Sequence, residues 1–171
     1  SMNMLTPRMN HGLVNIYGHY LYAVGGAVNG GMADSSVERL HGHNYYASLD
    51  VECRESHNGI AIEFKQLKKI MELLCDDLDE KILLPTNSDY LKISKNHDQF
   101  DVTFHGAGFS KSYKFPCEDV ELLPIPNVTS EMLAKYLCDE FRKKISSAWK
   151  ENSKQDLEEV VLAVTVTIEE T

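Results

Sequence analysis

His41-Gly42-His43-Asn44-Tyr45-Tyr46-Ala47-Ser48-Leu49-Asp50-Val51-Glu52-Cys53 alternates in character with a period of two, the repeat of a β-strand with one buried face. His41, His43, Tyr45, Ala47, Leu49, Val51 and Cys53 fall on one side, which is largely apolar. Gly42, Asn44, Tyr46, Ser48, Asp50 and Glu52 fall on the other, which is largely polar. Such a strand needs neighbours, and the flanking sequence supplies them. Leu13 to Val24 is rich in tyrosine, valine and leucine and reads as a strand. Asn29-Gly30-Gly31 breaks it, and a polar loop runs on to Glu38.

Beyond the turn at His57-Asn58-Gly59 the period changes. Phe64, Leu67, Ile70, Met71, Leu74 and Leu78 recur at helical spacing and predict an amphipathic helix from Glu63 to Asp79. Pro85 keeps the chain from continuing as helix. Short β-like pieces between Asp89 and Phe115, separated by Asn96-His97 and Gly106-Ala107-Gly108, predict a hairpin. Thr129 is placed to cap a second helix, with Glu131 in its favoured first turn. Leu133, Tyr136, Leu137, Phe141 and Ile145 carry that helix to near Trp149, and a polar loop over 150–157 follows. Val160, Leu162, Val164, Val166 and Ile168 then share one face of a last strand, and the same register continues onto Glu170. These elements predict an α+β domain, an antiparallel β-sheet with two helices packed on one face.

Composition bounds the function. The 171 residues suit one domain, read here as 13–171, after an N-terminal segment 1–12 that is disordered or tag-derived. Lysine and arginine total 17 against 26 acidic residues, a net charge of −9, which argues against a nucleic-acid groove. No apolar run approaches the ~18 residues of a membrane span. Ser1-Met2 reads as an expression scar and no apolar signal core follows it, so a cytoplasmic protein is expected. Cys53, Cys75, Cys117 and Cys138 form no CxxC pair and read as reduced thiols.

His41 and His43, at i and i+2 on one strand, point the same way and can converge on one zinc ion. Chance pairing among seven histidines is the alternative, since zinc needs at least three protein ligands and this motif supplies two. Glu170 continues an apolar face, where a carboxylate needs a donor partner unless the strand end frays into water. Glu38 lies close enough to His41 to act as a base beside a metal, or is a solvated loop residue. Asp79-Glu80-Lys81 reads by default as a charged helix terminus, and Thr129-Ser130-Glu131 as a helix cap. Cys53 lies roughly 30 Å along the strand from the histidines, too far to join them.

In this order the pieces LHGHNYYASLDVE, NGIAIEFKQLKKI, LDEKILLP, VTSEMLA and VTVTIEET resemble the 6-pyruvoyl tetrahydropterin synthase family over most of the chain. The resemblance implies a tunnelling fold that assembles cyclically, as trimers or hexamers, into a strand barrel with pterin sites between subunits. It implies zinc held by three histidines, with His41 and His43 matching two of them. The third position falls on Gly26; Asn29 is another candidate, and His19, of opposite parity to Gly26, is expected to face the wrong side of its strand. Glu170 matches the glutamate that grips the pterin edge, and Thr129, Ser130 and Glu131 match the segment lining the pterin pocket. Glu38 stands where a catalytic cysteine is usual, as in the branch whose side-chain cleavage yields 6-hydroxymethyl-dihydropterin. In the relay motif Asp79 is kept, and Glu80 replaces the histidine. The implied activity is triphosphate elimination or side-chain cleavage of 7,8-dihydroneopterin triphosphate, in tetrahydrobiopterin or folate biosynthesis. The alternative is a catalytically degenerate pterin-binding protein or a non-catalytic subunit of the same fold.

Overall fold

A computed structural model describes residues 12–23, 41–53, 63–106, 108–152 and 156–170. Strands β1 (Gly12–Ala23) and β2 (His41–Cys53) pair antiparallel, with Gly12 opposite Val51 and Ala23 opposite His41. On the other side of β2, the last strand β8 (Val161–Glu170) also runs antiparallel, with Leu49 opposite Val166 and Tyr45 opposite Glu170. Two short strands, β3 (Ile82–Pro85) and β7 (Val120–Leu123), extend the sheet in parallel beyond β1, giving the order β7-β3-β1-β2-β8. Each has only four residues, too few for a period to reveal it in the sequence.

Helix α1 (Phe64–Asp76) and helix α2 (Ser130–Asn152) cover the face of the sheet that carries Ala47, Leu49, Val51 and Cys53. Leu67, Met71 and Leu74 from α1 and Leu133, Leu137, Phe141 and Ile145 from α2 close the core over that face. Leu49, Met71 and Phe141 have no solvent exposure. Helix α1 stops short of the expected Asp79. There the backbone tightens into i→i−3 bonds, Leu78 N–H to Cys75 O and Asp79 N–H to Asp76 O, and Glu80 turns the chain at φ +55°. Helix α2 runs three residues past the predicted Trp149, and a one-turn helix α3 (Leu157–Val160) occupies part of the expected loop. Val160 therefore precedes the final strand. Leu162 is exposed because the register shifts between Glu52 and Cys53, so that β8 leaves one residue unpaired there.

The predicted hairpin is a three-stranded meander, β4 (Leu91–Asn96), β5 (Gln99–Gly106) and β6 (Phe109–Pro116), forming a second sheet. Its apolar side, including Val102 and Phe115, packs with Leu84 of β3 and Val120 of β7. At the second turn a Cβ on Gly106 would meet the Phe109 ring at 2.5 Å, so that ring would have to move, and Gly108 takes φ +86°, the left-handed region that favours glycine. No helix among the described residues is long and apolar enough to cross a membrane.

Candidate functional site

Chain direction brings the candidate residues to one end of the five-stranded sheet. Strand β1 runs toward Ala23, which pairs with His41 at the start of β2. Strand β8 ends at Glu170 on the same rim. Strand β3 pairs in parallel with Tyr22 and Ala23, so the turn that leads into it from α1, Asp77 to Glu80, reaches that rim too. Strand β7 is parallel to β3 and runs the same way, into the loop that starts α2 at Thr129. Further along α2, Cys138 Sγ–H and Arg142 each donate to the carbonyl of Val164, consistent with a helix running back along β8.

At this rim the apolar face of β2 turns polar. The Nδ1 of His43 is paired with Oε1 of Glu170, with the imidazole 23% and the carboxylate 46% exposed. Glu170 is opposite Tyr45 in the ladder, so it reaches His43 on the diagonal, a contact that cross-strand spacing permits. The Tyr45 ring lies 5.8 Å from the His43 ring at 36° and is buried. Burial first, then the negative charge of Glu170, pushes the Tyr45 hydroxyl up to about 12. Glu170 thus has a donor partner at the end of an ordered strand, which answers the question that its place on an apolar face raised.

The other candidates are positioned separately. Thr129 caps α2: its Oγ1 accepts the Met132 N–H at 3.3 Å, and its carbonyl accepts the Leu133 N–H at 2.9 Å. The Glu131 backbone N–H and then the Thr129 hydroxyl hold the Glu131 carboxyl below its usual range. Ser130 is half-buried in the first turn. Asp79 is half-buried in the turn after α1. With Asp76 and Glu72 it adds negative charge around the Cys75 thiol, which burial chiefly raises to about 12. Glu38, Gly26 and Asn29 lie outside the described residues.

For His19 the register reverses the expectation. A bulge between Ile16 and His19 shifts the pairing, so that His19 stands opposite Tyr45, Leu21 opposite His43 and Ala23 opposite His41. Directly paired positions share one face of a sheet, which puts position 19 on the face of His41 and His43. The expectation measured His19 against Gly26, which lies outside the described residues, whereas the pairing of β1 with β2 measures it directly against Tyr45 and His43. Among the described residues no three His, Cys, Asp or Glu side chains converge on a metal position; His19 and His41 are placed by their backbone. Sequence reasoning also missed an acidic group at this rim. Glu121 of β7 is raised by burial and then by Asp77, while Lys81 lowers it. Burial, followed by Glu140, Glu121 and Asp77, raises the Tyr136 hydroxyl. These residues are far apart in sequence, and no motif links them. An open cavity of about 580 Å³ between the meander and β7, bounded by Leu91, Ile93, Phe100 and Leu122, includes none of these groups.

The sequence profile described as 6-pyruvoyl tetrahydropterin synthase matches residues 17–170. A Methanocaldococcus jannaschii protein, provisionally named 6-carboxy-5,6,7,8-tetrahydropterin synthase, is 36% identical over 111 residues, covering 63% of this chain and 64% of its own. A Pyrococcus abyssi protein with the same provisional name is 25% identical over 111 residues, covering 62% and 60%. The chain thus spans less than two thirds of the length of these relatives. Among solved structures, the 6-pyruvoyltetrahydropterin synthase of Plasmodium vivax superposes with TM-score 0.71 at 23% identity, covering 95% of this chain and 96% of that one. The Plasmodium falciparum enzyme gives 0.72 at 23% identity, covering 93% and 94%. These likenesses establish the tunnelling fold. One further match is a Plasmodium vivax variant in which a catalytic glutamate is replaced by alanine.

Proposed function

The chain belongs to the 6-pyruvoyl tetrahydropterin synthase family, and from that premise we propose that it acts on 7,8-dihydroneopterin triphosphate, by triphosphate elimination or side-chain cleavage. The observation that carries this reading is the His43–Glu170 pair on the rim where β2 starts and β8 ends. Glu170 accepts hydrogen bonds from the amino and ring N–H groups of the pterin, which a carboxylate with two acceptor oxygens can do alongside its contact to His43. Thr129, Ser130 and Glu131 line the pocket at the start of α2. Glu38 takes the proton released from the substrate side chain, a role supported by the catalytic glutamate of the Plasmodium vivax enzyme. Asp79 is the next acceptor in line.

Register and donor type support a zinc site: His41 and His43 lie two apart on one strand, and position 19 stands opposite Tyr45 on the same face. Zinc, if held by His19, His41 and His43, would supply Lewis acidity toward the side-chain hydroxyls. Strand β8 is an edge of the sheet, and pairing of such edges between copies removes them. This supports assembly into trimers or hexamers.

The test is incubation of the purified protein with 7,8-dihydroneopterin triphosphate, with products identified by mass spectrometry and particle mass by light scattering. Release of triphosphate, or formation of 6-hydroxymethyl-dihydropterin, from an oligomer is the expected result. A 6-carboxy-tetrahydropterin product would place the chain with its archaeal relatives and correct the product. Pterin binding without turnover would support a non-catalytic pterin-binding protein. That second reading draws on Glu80, an exposed carboxylate at φ +55° where the family's relay uses an imidazole.

A further inference from the structure

An imidazole offers a metal either of two nitrogens, and a protein selects one by what it bonds to the other. At His43 the bonded nitrogen is Nδ1, and its partner is the Glu170 carboxylate. We propose that Glu170 is a positioning residue for His43. By accepting the Nδ1–H it holds the ring in one tautomer and orientation and commits Nε2 to the metal. This rests on the zinc reading above and goes beyond the pterin contact assigned to the same carboxylate.

Three features support it. The pair is made across two strands whose register is set by a run of core residues, Ala47 opposite Ile168 and Leu49 opposite Val166. The contact is therefore built into the sheet and does not depend on a loop. Tyr45 flanks the imidazole and is itself buried, which restricts where the ring can turn. The contact to His43 is made by Oε1 of Glu170, and a carboxylate carries a second oxygen able to receive a donor from a ligand. One side chain can then serve the metal ligand and the pterin edge together, so that loss of its charge or its acceptor affects the two differently.

The experiment uses the full chain stripped of metal. Zinc affinity is measured by competition with a chromophoric chelator for the wild type, Glu170→Ala and Glu170→Gln, and neopterin affinity is measured separately on the metal-free proteins. Cobalt(II) spectra report the geometry at the metal, and far-UV circular dichroism checks that each variant is folded. Glu170→Ala is expected to bind zinc roughly 10- to 100-fold more weakly, the usual effect of removing such an outer partner, and to show an altered cobalt spectrum. Glu170→Gln, whose side-chain carbonyl still accepts the Nδ1–H, is expected to recover most of the zinc affinity while binding neopterin more weakly than the wild type. Equal zinc affinity and equal cobalt spectra in wild type and Glu170→Ala would overturn the proposal and leave the zinc reading standing. A wild type that binds no zinc would overturn both.

Discussion

Ala47, Leu49, Val51 and Cys53 of β2 share one strand and one face of the sheet with His43 and Tyr45 nearer its start, yet the two groups lie in different chemistry. Over Ala47, Leu49, Val51 and Cys53 the helices close completely, and every one of these side chains is buried among apolar neighbours. Nearer the rim, His43 and Glu170 remain partly exposed and pair with each other. Tyr45 marks the border, with its ring inside and its hydroxyl pushed up to about 12 by burial and by the Glu170 charge. The difference teaches that a single alternating pattern can carry packing and chemistry in turn. What separates them is where the covering helices begin and end.

Substitutions at the two regions should therefore fail in different ways. The largest effect is expected at the proposed base: Glu38→Gln should lower turnover of 7,8-dihydroneopterin triphosphate by roughly 10²- to 10⁴-fold with an unchanged melting temperature. Unchanged turnover would move the base to Asp79. In the packed region, Leu49→Ala should cost about 2–5 kcal/mol of stability in urea unfolding, because it opens a cavity in a fully enclosed site. At temperatures where it stays folded, that variant should keep its zinc and pterin affinities. Loss of both in the folded protein would mean that the two regions are not separable. The smallest effect is at the junction of helix and rim. Thr129→Ala removes the cap on the Met132 N–H and should cost about 1 kcal/mol. If Thr129 only caps, pterin affinity will not change. If it also lines the pocket, as the family resemblance implies, affinity will fall as well.

Much of this architecture was legible in the chain, and the reason differs by element. The boundaries of β2 and the core faces of both helices followed from periodicity, since a buried face must repeat at 2 or near 3.6 residues. The short strands β3 and β7 carried no such repeat, and the meander read as one strand pair because β4 has only two core-facing apolar residues, Leu91 and Ile93, among polar neighbours. At the site, His41, His43 and Glu170 stood out because polar groups interrupted an apolar face. His19 did not, because it was measured against Gly26 on its own strand, and its face follows only from its pairing with β2.

The sequence by itself determined the fold class, the family and the residue types available for chemistry, because these rest on local periodicity and on short motifs within single segments. Tertiary structure alone decided that the ends of β1 and β8 meet the start of β2 at one rim. It alone decided that position 19 shares a face with His41 and His43, and that Glu170 meets Nδ1 of His43. These are relations between strands distant in the chain, and strand register, fixed by core packing and shifted by a bulge, sets them.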